Sequence, residues 1–136
     1  MSTHPKQAEL EATMRRLCDD LDRYLEDTFG NAYPLHPNRL QRGKASSVAY
    51  DGLFSTGTQF TLGYGSIHGR GYIVSVEIRT LAWVQKEHKE AIEEAAMAYI
   101  RKILPEYFPQ RAIELKKDGT VYKLVGDFSL GDSSNS

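Results

Sequence analysis

The side chains with the most versatile chemistry, four histidines and one cysteine, are scattered along this 136-residue chain. The histidines fall in four separate segments and form none of the spacings of known metal motifs; they are His4, His36, His68 and His88. Cys18 stands alone, and a lone cysteine forms neither an intrachain disulfide nor a structural zinc site. No motif in the sequence identifies a metal site, a cofactor site or a catalytic residue, and we therefore predict none of them.

Residues 63–71, GYGSIHGRG, combine four glycines with His68 and Arg70. Glycines let backbone N–H groups turn towards an anion, and arginine binds phosphate through two parallel hydrogen bonds. The spacing matches neither the Walker loop nor the dinucleotide-binding motif. An anion- or phosphate-binding loop is one hypothesis for this segment, and a flexible hairpin tip is the simpler interpretation.

The middle of the chain, residues 31–80, is the only part with an excess of positive charge, with five basic and two acidic side chains. We predict that loop 31–47 and tip 65–70 form a recognition surface, since loops on a rigid scaffold often carry binding residues. Cations beside aromatic rings suit an acidic protein or peptide, a phosphate group or a nucleic-acid strand. The candidate ligand-binding residues are Arg39, Arg42, Lys44, Tyr64, His68 and Arg70.

Nucleic acid is not the expected partner. The net charge of −1 provides no overall attraction for a polyanion or an anionic membrane surface. Arg70-Gly71-Tyr72 begins like the RNA-contacting motif of RRM domains, but the alternating aromatic residues that stack on bases do not follow.

Two helices are predicted. Residues 6–29 repeat apolar side chains at steps of three and four, and Cys18 lies on this apolar face as a buried, unreactive residue. Residues 81–104 form a second helix with His88 on its apolar stripe, and Pro105 is expected to end it. Residues 31–47 show no periodicity.

Strands are predicted where apolar and polar residues alternate, at 58–64 and 72–79, with a shorter strand near 47–50. Asp118-Gly119 between two alternating runs predicts a tight hairpin. With these two residues as the loop, Leu115 pairs with Tyr122 and Glu114 pairs with Lys123.

The predicted fold is α+β, with an antiparallel sheet of about five strands, two helices on one face and the order α-βββ-α-ββ. One domain spans 6–130 between a disordered N-terminus, 1–5, and a disordered tail, 131–136. The absence of a signal-like start and of a long apolar run predicts a cytoplasmic protein.

The leading functional hypothesis is a non-catalytic binding module that acts as a homodimer. The alternatives are a small-ligand or anion binder using loop 63–71, and an enzyme with a site assembled from scattered residues.

Overall fold

The computed structural model describes residues 5–45, 50–126 and 128. The elements in chain order are α1 (Pro5–Phe29), β1 (Phe54–Thr61), β2 (Gly71–Ile78), α2 (Lys86–Tyr107), β3 (Ile113–Asp118) and β4 (Val121–Gly126). The strands form one antiparallel sheet with the spatial order β1-β2-β4-β3. This confirms the α+β class with an antiparallel sheet and two helices. Apart from Pro5, which begins α1, the two segments expected to be disordered lie outside the described residues.

One core joins both helices to one face of the sheet. The buried apolar residues of α1 and α2 form a single cluster with inward residues of every strand, among them Phe54, Val74, Leu115 and Leu124. Cys18 is 1% exposed, and burial raises the pKa of its thiol to about 12, so it is the unreactive core residue that the sequence predicts. No helix among the described residues has the length and apolar character needed to cross a bilayer.

Within the described residues the sheet has four strands, not about five, and the order of elements is α-ββ-α-ββ. The extra strand expected near 47–50 falls mostly outside the described residues, and Tyr50 is not in a strand. At Asp51 the chain forms only an isolated bridge with Leu40. The Asp51 carboxylate accepts hydrogen bonds from the backbone N–H groups of Gly43 and Ala45, which holds this stretch in a loop.

The ends of two elements also differ from the prediction. Strand β1 stops at Thr61 instead of continuing to Tyr64, because Gly63 and Gly65 have positive φ angles that an extended strand does not contain. Helix α2 begins only at Lys86, and Pro105 lies inside it rather than ending it. A proline so close to the helix C-terminus removes only one hydrogen bond, and Pro105 is exposed to solvent.

The β3–β4 hairpin is present, but its predicted register is wrong by two residues. Asp118 pairs with Val121, so the two-residue loop is Gly119-Thr120. Only Gly119 has a positive φ (67°), as in a type II′ turn, whereas the predicted type I′ turn needs two such residues. A shift of two residues keeps every side chain on its face, so the predicted apolar face is retained.

A carboxyl group is buried between α1 and β1. Asp22 is 0% exposed, and the hydroxyl of Thr56 donates a 2.6 Å hydrogen bond to its Oδ1 atom. Arg15 reaches no closer than 3.8 Å to Oδ2. Burial raises the pKa of Asp22 to about 7, which outweighs the opposing effects of Thr56 and the nearby arginines.

We expect the buried carboxyl of Asp22 to make stability fall as the pH rises. The folded-state pKa of about 7 exceeds the unfolded value of about 3.9, so the stabilisation is complete below pH 4 and is lost as the pH passes 7. Between pH 4 and pH 7 the free energy of unfolding should change by at most about 1.4 kcal/mol per pH unit. In urea melts, Asp22→Asn should be more stable than the parent at pH 8 and should lack this slope. Asp27→Asn, on the exposed side of α1, should follow the parent.

The turn assignment predicts that Gly119→Val destabilises the hairpin. A Cβ at Gly119 has open space around it, so the cost comes only from the positive φ and should be about 1–2 kcal/mol. The matched change Thr120→Val, at an exposed position without positive φ, should be nearly neutral. Equal melting temperatures for the two variants would contradict a turn at Gly119-Thr120.

Candidate interaction surface

The sheet face opposite the helices carries an unexpected buried cation. Alternation along β4 places Lys123 on this outer face, beside Ile73 of β2 and Lys116 of β3. A lysine on an uncovered sheet face would be solvated, yet Lys123 is only 2% exposed. The segment that connects β1 to β2, residues 62–70, folds over it; we call this segment the tip loop.

Three acceptors surround the ammonium group of Lys123. Its Nζ atom lies 2.9 Å from Oδ2 of Asp118, 3.1 Å from Oγ of Ser66 and 2.6 Å from the carbonyl oxygen of Gly69. An ammonium group has three N–H donors, so this arrangement satisfies all of them. Two of the three acceptors belong to the tip loop, and the cation therefore fastens that loop to the sheet.

Asp118 fastens the same loop through two of its backbone N–H groups. The backbone N–H groups of Ile67 and His68 donate to its two carboxylate oxygens, at 3.2 and 3.0 Å. The Lys123 ammonium and the N–H of His68 hold the pKa of Asp118 well below its usual range. The N–H groups that the sequence suggested for an external anion thus bind a carboxylate of the chain itself.

Two glycines make this close arrangement possible. A Cβ at Gly71 would contact the carbonyl oxygen of Leu124 and the aliphatic stem of Lys123. A Cβ at Gly63, where φ is 71°, would collide with the carbonyl of Gly69 across the base of the tip loop. Gly63 and Gly71 therefore serve the packing of the loop on the sheet.

The outward surface of the tip loop is apolar. Tyr64 is 89% exposed and Ile67 is 80% exposed, and Leu62 is about half exposed. Residues 52–69 contain no Asp, Glu, Lys or Arg. Large apolar side chains on a fastened loop with a single charged residue, Arg70, are typical of a surface that contacts another macromolecule.

The arginines of loop 31–47 lie at the opposite end of the sheet and make internal contacts. The guanidinium of Arg39 donates to the carbonyl oxygens of Asp51 and Gly52 at 2.8 and 3.1 Å. Arg42 forms ion pairs with Asp51 at 2.8 Å and with Glu26 at 3.2 Å. Burial, with the nearby charges of other arginines, lowers the pKa of Arg39. Both arginines therefore order the loop on α1 and β1.

A cleft of about 480 Å³ opens beside Arg42 and Glu26, and an apolar pocket of about 180 Å³ adjoins it. Tyr33 lines both cavities, and its hydroxyl lies 2.8 Å from Nδ1 of His88. His88 is exposed and hydrogen bonded, rather than packed on the buried stripe of α2.

The structure does not bring the six predicted site residues together. The tip loop follows β1 and loop 31–47 precedes it, so the eight residues of β1 separate them by about 23 Å. Tyr64, His68 and Arg70 are exposed at the tip, whereas Lys44 is exposed at the other end. The expected recognition surface is thus two separate regions, and whether either binds a ligand stays a prediction.

Sequence reasoning missed the pair formed by Asp118 and Lys123. The predicted register placed Asp118 in the turn and Lys123 opposite Glu114. In the structure Glu114 forms an ion pair with Lys116 instead. The register shift explains the error, because a loop at Gly119-Thr120 places Asp118 in β3 on the same face as Lys123. The coverage of that face by the tip loop is a tertiary contact with no local sequence signal.

Removal of the buried cation should release the tip loop. Lys123→Met leaves the Asp118 carboxylate without its counterion, so we expect the melting temperature to fall by roughly 5 °C or more. Chymotrypsin should also cleave faster after Tyr64. Lys116→Met, at the exposed position directly opposite, should change the melting temperature by about 2 °C or less. Equal cleavage rates in the two variants would show that Lys123 does not hold the loop.

Comparisons with known proteins identify relatives of this chain. A family model described as "Uncharacterised protein" matches residues 5–126. A relative from Borreliella burgdorferi, also described as "Uncharacterized protein", is 44% identical over 120 residues, which cover 88% of this chain and 94% of the relative. No solved structure matches. The matched range contains both helices, all four strands and the tip loop, and the chain belongs to this family of uncharacterised proteins.

Proposed function

We propose that this protein is a non-catalytic binding module that acts as a homodimer and makes its contacts through the tip loop. The observation that carries the proposal is the internal pairing of the loop's polar groups. Asp118 and Lys123 bind Ser66, Ile67, His68 and Gly69 from below, and the loop presents Tyr64 and Ile67 to the outside.

The energetics of the exposed side chains favour a macromolecular contact. Full burial of one large apolar side chain stabilises a complex by about 1.5–3 kcal/mol. A loop already fastened by hydrogen bonds loses little conformational entropy on binding, so more of that gain remains as affinity. The absence of charged residues in 52–69 favours an apolar contact surface. Arg70 adds a cation at the edge of this surface, where an acidic protein or peptide could pair with it.

The small-ligand alternative is less well supported by these contacts. A loop that binds an external anion needs N–H groups that point into open space. At Ile67 and His68 those groups already bind Asp118, and an incoming phosphate would have to displace a carboxylate paired with Lys123.

The enzyme alternative has one geometric argument, the 3.1 Å distance from Ser66 Oγ to Lys123 Nζ. A serine–lysine pair performs hydrolysis when the amine is neutral and accepts the hydroxyl proton. Here the carboxylate of Asp118 stabilises the charged ammonium, and the Ser66 hydroxyl donates to the carbonyl of Gly63 at 2.7 Å. Both contacts suit a structural role for the pair better than a catalytic one.

The oligomeric state of paired surface variants tests the proposal. By light scattering coupled to gel filtration, we expect the parent to have the mass of two chains. Tyr64→Ser combined with Ile67→Ser should weaken the dimer by about tenfold or more, since two large apolar contacts are lost. Trp83→Ser combined with Leu81→Ser, which removes two equally exposed apolar side chains outside the tip loop, should leave the dimer intact.

Two results would contradict the proposal. A parent with the mass of one chain at every concentration would remove the homodimer. A tip-loop variant that dimerises as tightly as the parent would show that the tip loop is not the contact surface.

A further inference from the structure

Strand β1 is an edge strand, and half of its open edge is already blocked. The guanidinium of Arg42 donates to the carbonyl oxygen of Phe54 at 3.0 Å, and that of Arg15 donates to the carbonyl oxygen of Thr56 at 3.0 Å. Side chains from loop 31–47 and from α1 thus occupy the acceptors at the start of the strand. Charged groups on a strand edge are a common protection against pairing with other chains.

The other half of the same edge is open. Successive carbonyls of a strand alternate in direction, so the N–H and C=O groups of Thr58 and Phe60 point the same way as the blocked carbonyls. Within the described residues these outward groups have no hydrogen-bond partner. The polar backbone of a three-residue segment, Thr58 to Phe60, is therefore available to a further strand.

We infer that a second copy of this chain pairs with β1 along its open half, in antiparallel orientation, with Gln59 on the twofold axis. This inference rests on the proposed homodimer and adds to its tip-loop contact a backbone pairing along β1, the strand that leads into the tip loop. In this register Thr58 of each copy pairs with Phe60 of the other copy. Each of these two pairs forms two backbone hydrogen bonds, so the interface has four. The two four-stranded sheets become one sheet of eight strands.

The blocked carbonyls exclude any register nearer the start of β1. Placing the axis at Thr58 would pair Phe60 with Thr56, and the carbonyl of Thr56 is held by Arg15. An axis at Gln59 uses every outward group of Thr58 and Phe60 without breaking that bond. It also places the aromatic ring of Phe60 beside the β-branched side chain of Thr58 from the other copy, on one sheet face, which is a favourable cross-strand pair.

Charge and space favour a second copy as the occupant. Twofold pairing brings identical segments together, and like charges directly opposite each other destabilise a sheet. Residues 52–69 have no charged side chain to repel the same segment of a second chain. The pair formed by Gly57 and Thr61 on either side of the axis is free of crowding, since a Cβ at Gly57 would have no neighbour within 4 Å.

Cysteine cross-linking tests the register. Gln59 is exposed, and across the axis the two Gln59 Cα atoms would be about 4.5 Å apart, within the range of a disulfide. We expect Gln59→Cys to form a disulfide-linked dimer under mild oxidation, seen by non-reducing electrophoresis. The native Cys18 is buried and should leave the parent unlinked.

Ser55→Cys is the matched control, since it lies on the same strand and sheet face. The two Ser55 residues would be roughly 26 Å apart along the strands, so this variant should stay unlinked. If light scattering shows a dimer but Gln59→Cys links no better than Ser55→Cys, the inferred interface is wrong and the proposed homodimer survives. If the mass is that of one chain throughout, the homodimer and the interface both fail.

Discussion

The ion pair between Lys123 and Asp118 is the interaction on which the outer side of the molecule depends. A lysine buried at the centre of a sheet face is costly unless all its donors are satisfied. Here Asp118, Ser66 and Gly69 satisfy them, and satisfying them brings the tip loop onto the sheet. The position of the loop, the packing role of Gly63 and the exposure of Tyr64 are consistent with that requirement.

At the other end of the sheet a buried charge is again paired, here by arginine. Asp51 is 1% exposed, and its carboxylate is matched by Arg42 and by backbone N–H groups of the preceding loop. Arg42 and Arg15 then also reach the carbonyls at the start of β1. Internal electrostatic contacts at the two ends of the sheet thus leave two features outward, the apolar side chains of the tip loop and half of an open strand edge.

The sequence predicts the elements whose stabilising contacts are local or periodic. The apolar period of α1 and the alternation of β2 were sufficient to place both, because each buries one continuous face. Prediction from the sequence fails where side chains that are distant along the chain determine what a residue contacts. Arg39 and Arg42 looked like ligand-binding cations, but buried Asp51 and the carbonyls near it engage them, and no local pattern shows such partners.

Amide hydrogen exchange can show whether a second copy of the chain covers the outward half of β1. The N–H groups of Thr58 and Phe60 have no partner within the described residues, whereas the N–H of Gln59 points towards β2. If a second copy pairs there, the N–H groups of Thr58 and Phe60 should exchange slowly in concentrated protein and faster on dilution, while that of Gln59 stays protected at both concentrations. Fast exchange of Thr58 and Phe60 at every concentration would contradict this pairing.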